Sequence, residues 1–506
     1  MPRESSRTNK DPGARGGALR LVVQGSHQSR ARSRASSCPV VRSGVRVVPL
    51  NAWARLLVGL GDPRCYGGGL IGVQVERCDV VKLHPGAEHE ELLFYAGDQC
   101  ARLINMENYR RRQLFFAGRG IDAGVRVARE LAKSSPEYKE VKKALGAKNF
   151  DETLRKVSES WRSFAELLRE RREGKLPPWM NPRPPGYRKR SGERLPIIIV
   201  RADNYRVDAE RRVIRLGYWN IDVPFTGKLR WLSKPGAKRG RMEIIYDPVK
   251  KKWYAHISVR VPLERKSVGG GFMGIDLGRE VLAAAVTSGG EALLYKGNVL
   301  KSDYFYFERK IAEIDRALSG LEEADRSALA EERRRLFEKR KRRRNQAHAN
   351  AAAHLKNEAI KRSIGIVFIG YPWYISQEKP GKGNVNMWGQ RRQLMRLATT
   401  LENAGIPAFA VSEDGTSREC AYHGCEVLRK PRGLIHCPHG HTMHSDVNGG
   451  LGVMARGLKA LGIKAELPKQ IRVLSFLATP GRVKPITPAK RRGKEWRALR
   501  ATSEKD

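Results

Sequence analysis

The sequence predicts a multidomain α/β protein: an RNase H-like mixed sheet, a small β-barrel, a helical lobe and a metal-braced loop. Three observations carry that prediction. Residues 267–295 read as an apolar strand holding one carboxylate, Asp276, followed by two more strands joined at Gly289-Gly290, the opening of an RNase H-like sheet. Residues 195–263 break into short strand-forming runs separated by turns such as Asp247-Pro248, which suits a barrel. Residues 411–450 hold Cys420 with His423 and Cys437 with His441, with Glu413 before the first pair and Asp446 after the second.

Composition narrows the function. The 506 residues allow two or three domains. Lys and Arg number 97 against 53 Asp and Glu, a formal charge of +44 that repels itself unless a polyanion neutralises it, so nucleic acid is the expected partner. Abundant basic proteins without special affinity, such as ribosomal proteins, are usually shorter and lack buried acids. Outside the metal stretch, Cys38, Cys65, Cys78 and Cys100 have no regular spacing, which argues for a reducing compartment and against a disulfide framework. No apolar run is long enough to span a bilayer, and no secretory signal is expected. A cytoplasmic, nucleoid-associated protein with no membrane partner is expected, with a monomer favoured.

Residues 1–73, rich in Arg, Ser and Gly, read as a disordered basic extension. Alternation through Val75, Arg77, Val80 and Lys82 predicts a strand that Pro85 stops, and residues 87–118 then read as a helix. That helix carries Arg110, Arg111 and Arg112 beside Tyr109, Phe115 and Phe116, either a nucleic-acid-binding face or a solvated basic one. Helices continue over 123–174 until consecutive prolines end them. In the barrel, Trp219, Trp253 and Tyr254 suit its core better than a stacking role.

In the third region Asp276 lies between Ile275 and Leu277, flanked by Gly274 and Gly278, and a carboxylate among apolar neighbours needs a partner such as a metal ion. Residues 303–360 read as a helical insert, with Phe307, Ile311, Ile314 and Leu318 on one face. Its second helix carries Arg333, Arg334, Arg340, Lys341, Arg342 and Arg343, a run expected to contact a nucleic-acid backbone. An apolar strand at 363–373, a covering helix and the strand at 407–413 give the parallel half of the sheet. The spacing C-x2-H, thirteen residues, C-x3-H suits one tetrahedral Zn²⁺ of structural type. Cys425 is an alternative to His423, and His439 or His444 to His441; without metal, hydrogen bonds would have to hold the loop.

The residues "TSREC", then Cys437, then "HSDVNGG", together with "GIDLG" at 274–278, resemble the signature of the TnpB proteins of insertion-sequence transposons, relatives of type V CRISPR effectors. The resemblance runs from about residue 74 to about 470 and is most specific in the last 200 residues. It implies a wedge barrel at 74–88 and 178–265, a recognition lobe at 89–177, and a RuvC nuclease domain at 271–414 and 446–465. It further implies a zinc-binding insert at 415–445, and a basic mobile tail is expected at 466–506. The family's usual opening begins only near Val73 or Val75, which suggests translation starts there. The implied activity is RNA-guided cleavage of double-stranded DNA, with a guide RNA supplying specificity. The implied chemistry is two-metal phosphodiester hydrolysis, with Mg²⁺ as the ion.

One departure matters. Gly370 stands where the family carries its second acid. Glu413 ends the next strand, and strands lie about 4.8 Å apart, within reach of a Glu side chain. A relocated triad of Asp276, Glu413 and Asp446 is therefore expected, with Asp414 the weaker candidate. The alternative is a guide-dependent or transposition-accessory DNA-binding protein that does not cut. Ser445 is a candidate helix cap, and Asn448 either caps or contacts metal-bound water or phosphate. No Tyr nucleophile beside a His-hydrophobe-His pair is present, which argues against single-strand transposase chemistry.

Overall fold

The computed structural model of the chain describes residues 40–42, 45–52, 54–55, 72–174, 176, 180–190, 192–264, 269–371, 389–413, 415–431 and 433–486. Among them, a nine-stranded and a seven-stranded sheet carry the architecture.

In chain order, β1 (Val40–Arg42) and β2 (Val45–Pro49) form a hairpin, and β3 (Gly72–Leu83) belongs to the seven-stranded sheet. Helices α1 (Ala87–Phe116), α2 (Arg126–Ser134), α3 (Pro136–Leu145) and α4 (Ala147–Arg172) make a lobe around Leu103, Val141 and Leu154. After the short ladder of β4 (Lys189–Arg190) and β5 (Glu193–Arg194) come β6 (Ile197–Val200), β7 (Tyr205–Asp208) and β8 (Val213–Leu216). Strands β9 (Ile221–Thr226), β10 (Lys238–Asp247) and β11 (Lys252–Glu264) complete the sheet in the order β6-β10-β11-β3-β9-β8-β7, antiparallel throughout. The sheet is barrel-like. Alternate residues of β11, from Trp253 to Val261, point into its core, as period-2 alternation requires. Trp253 is 1% exposed and belongs to that core, while Trp219 donates to the Ala144 carbonyl at 3.2 Å.

The nine-stranded sheet contains β12 (Gly271–Asp276), β13 (Val281–Thr287) and β14 (Glu291–Lys296), then, after α5 (Asn298–Ser319) and α6 (Ser327–Lys361), β15 (Ile364–Tyr371). Helix α7 (Gln390–Glu402) leads to β16 (Ala408–Ser412). A small hairpin, β17 (Leu434–His436) and β18 (Thr442–His444), precedes α8 (Ser445–Ala460), and β19 (Arg472–Ala478) and β20 (Val483–Pro485) end the described chain. Strands β12, β15 and β16 pair in parallel, whereas β12, β13 and β14 pair antiparallel. Helices α6 and α7 cover one face, where Leu355, Leu394 and Leu397 meet Ile275 and Ile369. Helix α8 covers the other, where Leu451 and Met454 meet Phe368 and Phe409. It lies close because a Cβ on Gly274 would stand 2.1 Å from the Gly450 carbonyl oxygen, so any side chain there would push helix off strand.

Two expectations are corrected. Residues 45–52 are not part of a disordered extension: β2 pairs with β16, Val47 is buried, and Asn51 donates to the Ile406 carbonyl at 2.9 Å. Residues 1–39 lie outside the described residues. The tail is not mobile from 466, since β19 pairs in parallel with β14 and β20 pairs with β19. β19 is a short apolar run that begins with Arg and is followed by Pro480, where composition averages hide it. The sheets are joined by Arg77 of β3, whose Nη2 lies 2.5 Å from Glu402 Oε2 at the end of α7. Among the described residues no helix is long and apolar enough to cross a membrane.

Candidate functional site

The three acids come from three different elements that meet at the C-terminal ends of the inner parallel strands of the nine-stranded sheet. Asp276 is the last residue of β12, Glu413 follows β16, and Asp446 lies in the first turn of α8. Glu413 reaches across β15: a Cβ on Gly370 would stand 2.9 Å from Glu413 Oε2 and 3.3 Å from the Ile275 carbonyl oxygen. The glycine thus leaves room for a carboxylate from the neighbouring strand. On the other side, a Cβ on Gly449 would stand 2.5 Å from Asp276 Oδ2, so the first turn of α8 rests against that carboxylate. Asp414 lies outside the described residues.

Electrostatics mark the acids as a set short of positive charge. Burial, then the negative charge of Asp446, pushes Asp276 up to about 7, with Arg429 pulling the other way. Burial, then the charge of Asp276, pushes Glu413 up to about 9, and its Oε2 is buried with no hydrogen-bond partner. A bound cation would reverse both effects. The Glu413 backbone is fixed, because Thr416 donates to its carbonyl through both N–H (3.0 Å) and hydroxyl (2.8 Å). Among the described residues, the two sets of His, Cys, Asp or Glu ligand atoms lying within 4.8 Å of one another both fall in the Cys/His loop, so the acids are more widely spread than a single cage.

In that loop, Cys420, His423, Cys437 and His441 form one such set, and His423, Cys425 and His439 an overlapping one. Cys420 Sγ lies 3.9 Å from His423 Nδ1 and 3.7 Å from His441 Nδ1, and His423 Nδ1 lies 3.3 Å from Cys437 Sγ. Ligands around a tetrahedral Zn²⁺ are separated by roughly 3.3–3.8 Å at ordinary bond lengths, so the donors present fit that ion. Cys425 Sγ is 3.4 Å from Cys437 Sγ, so it stays within reach of the same ion. Each ligand pair sits on a tight turn: Gly424 N–H donates to the Cys420 carbonyl and Gly440 N–H to that of Cys437.

Two assignments change at the start of α8. The cap is His444, whose Nδ1 accepts from the Asp446 N–H at 3.2 Å, and not Ser445. Asn448 is fully buried and neither caps nor faces the acids. Its Oδ1 accepts from the Ala421 N–H at 2.9 Å and its Nδ2 donates to the Thr416 and Glu419 carbonyls at 3.2 and 2.8 Å, stapling the Cys/His loop to α8. No local pattern distinguishes this use of Asn from capping. Arg429, which faces Asp276 electrostatically, was equally invisible as a loop arginine.

Comparison with known proteins decides the family. The chain is 37% identical over 436 residues to the TnpB-like protein ORF457 of Acidianus two-tailed virus, covering 81% of this chain and 92% of that one. It belongs to the TnpB-like proteins. Residues 256–376 also match the OrfB_IS605 family, described as "Probable transposase". Two solved structures resemble it loosely. They are a Cas12f1–sgRNA–target DNA complex (16% identity, 73% of this chain and 83% of that one, TM-score 0.48) and the mini-RNA-guided endonuclease CRISPR-Cas_phi3 (10%, 79% and 94%, TM-score 0.34).

The basic residues of this TnpB-like chain divide into structural and accessible ones. Arg111 is wholly buried: its Nε lies 2.9 Å from Glu107, and its other nitrogens donate to the Asp122 and Gly124 carbonyls and to Ser158. It cannot meet a phosphate, which corrects its expected role. Arg110 pairs with Glu107 and Asp122, and Arg112 donates to the Pro184 and Pro185 carbonyls while lying over the Tyr187 and Phe116 rings. On α6, Arg333, Arg340 and Arg343 pair with Asp315, Glu308 and Asp303 of α5, so acids of the preceding helix relieve much of the repulsion. Lys341 pairs with Glu338 of its own helix; Arg334 and Arg342 are exposed.

Proposed function

We propose that this TnpB-like protein is an RNA-guided DNA endonuclease of an insertion-sequence element, with an RNase H-like (RuvC) nuclease domain built on the nine-stranded sheet. The observation that carries the reading is the convergence of Asp276, Glu413 and Asp446 at these strand ends, with a buried Glu413 oxygen that lacks any partner. Three carboxylates gathered without a compensating cation are costly unless they hold metal. Hard oxygen donors favour Mg²⁺, and the family resemblance implies two ions. When bound, such ions activate an attacking water and stabilise the leaving oxygen of an in-line displacement. The chain's own part is positional. Asp276 and Asp446 are fixed by strand and helix, Glu413 by Thr416, and the Asn448 staple ties the metal-braced loop beside them.

The partners in this reading are a guide RNA and double-stranded DNA, as the family resemblance and a formal charge of +44 support. The single zinc is structural and holds the loop. Gly370, bare of the family's acid, favours a second reading: guided binding without cutting. One experiment separates them. The protein is purified with its bound RNA, that RNA is sequenced, and a matching DNA is offered with and without Mg²⁺. Mg²⁺-dependent cutting that Glu413→Gln abolishes supports the nuclease; tight guided binding without cutting supports the second reading.

A further inference from the structure

The junction of α6 with the start of α7 gathers hydrogen-bonding groups that no described residue satisfies. His348 is 3% exposed, and neither ring nitrogen has a partner. Gln390, first residue of α7, is 8% exposed, and its Nε2 has none either. Leaving such groups unpaired is costly, so they mark a place where something belongs. The surroundings are positive: the charges of Arg344, Arg392 and Arg396 all act on His348. Together with burial they push its pKa down to about 3, and burial with Arg392 and Arg340 pushes Arg344 down to about 10. The 13-residue helix α7 begins at Gly389 with no side-chain cap, adding uncapped N–H groups and the positive end of its dipole. A Cβ on Gly389 would stand 3.3 Å from the Arg344 guanidinium carbon, so the helix start and that arginine meet.

Position gives the cluster meaning. Gln393, one turn into α7, donates to the Leu282 carbonyl at 2.6 Å, and Leu282 lies two residues before Ala284, the register partner of Asp276. The helix start therefore sits at the same strand ends as the acids, on the face opposite α8, where open α/β sheets bind ligands.

We propose that this junction is an anion site taking a backbone phosphodiester of the nucleic acid, adjacent to the carboxylate site. Gln390 and the first N–H groups of α7 are its donors, His348 the buried partner behind them, and Arg344 and Arg392 its outer charges. The proposal rests on the nucleic-acid-binding part of the functional reading but not on cleavage. The competing occupant is a buried water, which also satisfies orphaned polar groups.

The test uses the full chain with ¹³Cε1-labelled histidine, the His348 signal being assigned by its loss in His348→Gln. A 20-nucleotide single strand is added, and in parallel its methylphosphonate analogue, which has no backbone charge, and inorganic phosphate. The expected result is a His348 signal that stays constant between pH 5 and 8, moves with the phosphodiester strand and ignores the analogue. A signal that stays still while fluorescence anisotropy reports the strand bound means water alone and overturns the proposal. A signal moved only by inorganic phosphate overturns it too, since the site would then serve the free ion. Replacing His348 and Gln390 together by Leu should leave the melting temperature unchanged or raised, weaken strand binding by about tenfold, and lower the slope of log K against log salt by about 0.7, the value of one single-strand contact. Unchanged affinity and slope overturn the proposal. If that pair does not fold, Gln390→Glu, which sets a carboxylate where the phosphate would lie, should weaken binding as much.

Discussion

At the scale of single residues, the site turns on a bare position and the carboxylate that occupies its space. Gly370 has no side chain, and Glu413 from the adjacent strand sits where a Cβ would have been. Glu413→Gln keeps the shape and removes the charge, so cleavage should fall by at least about a hundredfold while guide and target binding stay unchanged, as expected for a residue used only to bind catalytic metal. Single-turnover cleavage alongside filter binding measures both. Gly370→Ala should act through the same residue: its methyl must displace the Glu413 carboxylate, and cleavage should fall although no acid is altered. The raised carboxyls also predict a pH dependence. Asp276 and Glu413 have folded pKa values of about 7 and about 9, above the ordinary carboxyl range, so the fold favours their protonated forms. That stability is fully present below the unfolded pKa, near pH 4, and is lost as pH rises through 7 and then 9. In Mg²⁺-free buffer the melting temperature should therefore fall from pH 5 to 9, Glu413→Gln should flatten the fall, and added Mg²⁺ should stabilise more at pH 8 than at pH 6. A melting temperature that rises across this range would contradict the buried, uncompensated carboxyls.

At the scale of elements, α8 does two jobs with opposite faces of its first turns. Gly449 and Gly450 let it lie against β12 and the Asp276 carboxylate, while Asn448 grips the Cys/His loop by three hydrogen bonds. Asn448→Ala removes all three at a buried position, which should destabilise the protein by about 2 kcal/mol. With zinc in the Cys/His loop as proposed, its release to a chromogenic chelator should be at least several-fold faster, while Gln in its place, too long for the same geometry, should not rescue. The elements were legible in the sequence where patterning was strong. The run Val281–Thr287 is a strand, one of the two expected to follow Asp276, and β15 reads as a strand covered on both faces because it is apolar almost throughout. Legibility failed where one pattern serves two physical ends. The basic run on α6 looks like a nucleic-acid face, yet Arg333, Arg340 and Arg343 answer acids on α5 that only tertiary packing brings near. Arg111 had its partner Glu107 four residues earlier, a helical pair visible in the sequence, but burial of the pair was not.

At the scale of the molecule, the seven-stranded and nine-stranded sheets are locked by a contact that no local reading finds. Arg77 of β3 and Glu402 of α7 are 325 residues apart, and their paired side chains are only 10% and 9% exposed. Glu402 Oε1 also accepts from the Ala52 N–H at 2.6 Å, and Arg77 donates to Asn403, so one carboxylate joins the N-terminal segment, the barrel and the end of α7. This explains why the segment after β2 is held in the fold: it is anchored to a residue that also serves the barrel. A buried pair contributes little net stability against a hydrophobic replacement, but removing one partner leaves the other charge stranded. Glu402→Ala should therefore cost about 3–5 kcal/mol at this joint, whereas replacing Arg77 and Glu402 together by Met and Leu should recover most of the loss. Calorimetry distinguishes the two outcomes. The single variant should melt in two steps, the barrel separating from the nine-stranded sheet, and the double variant should return to a single transition. A single variant that melts in one step at the parental temperature would mean that the sheets are coupled elsewhere.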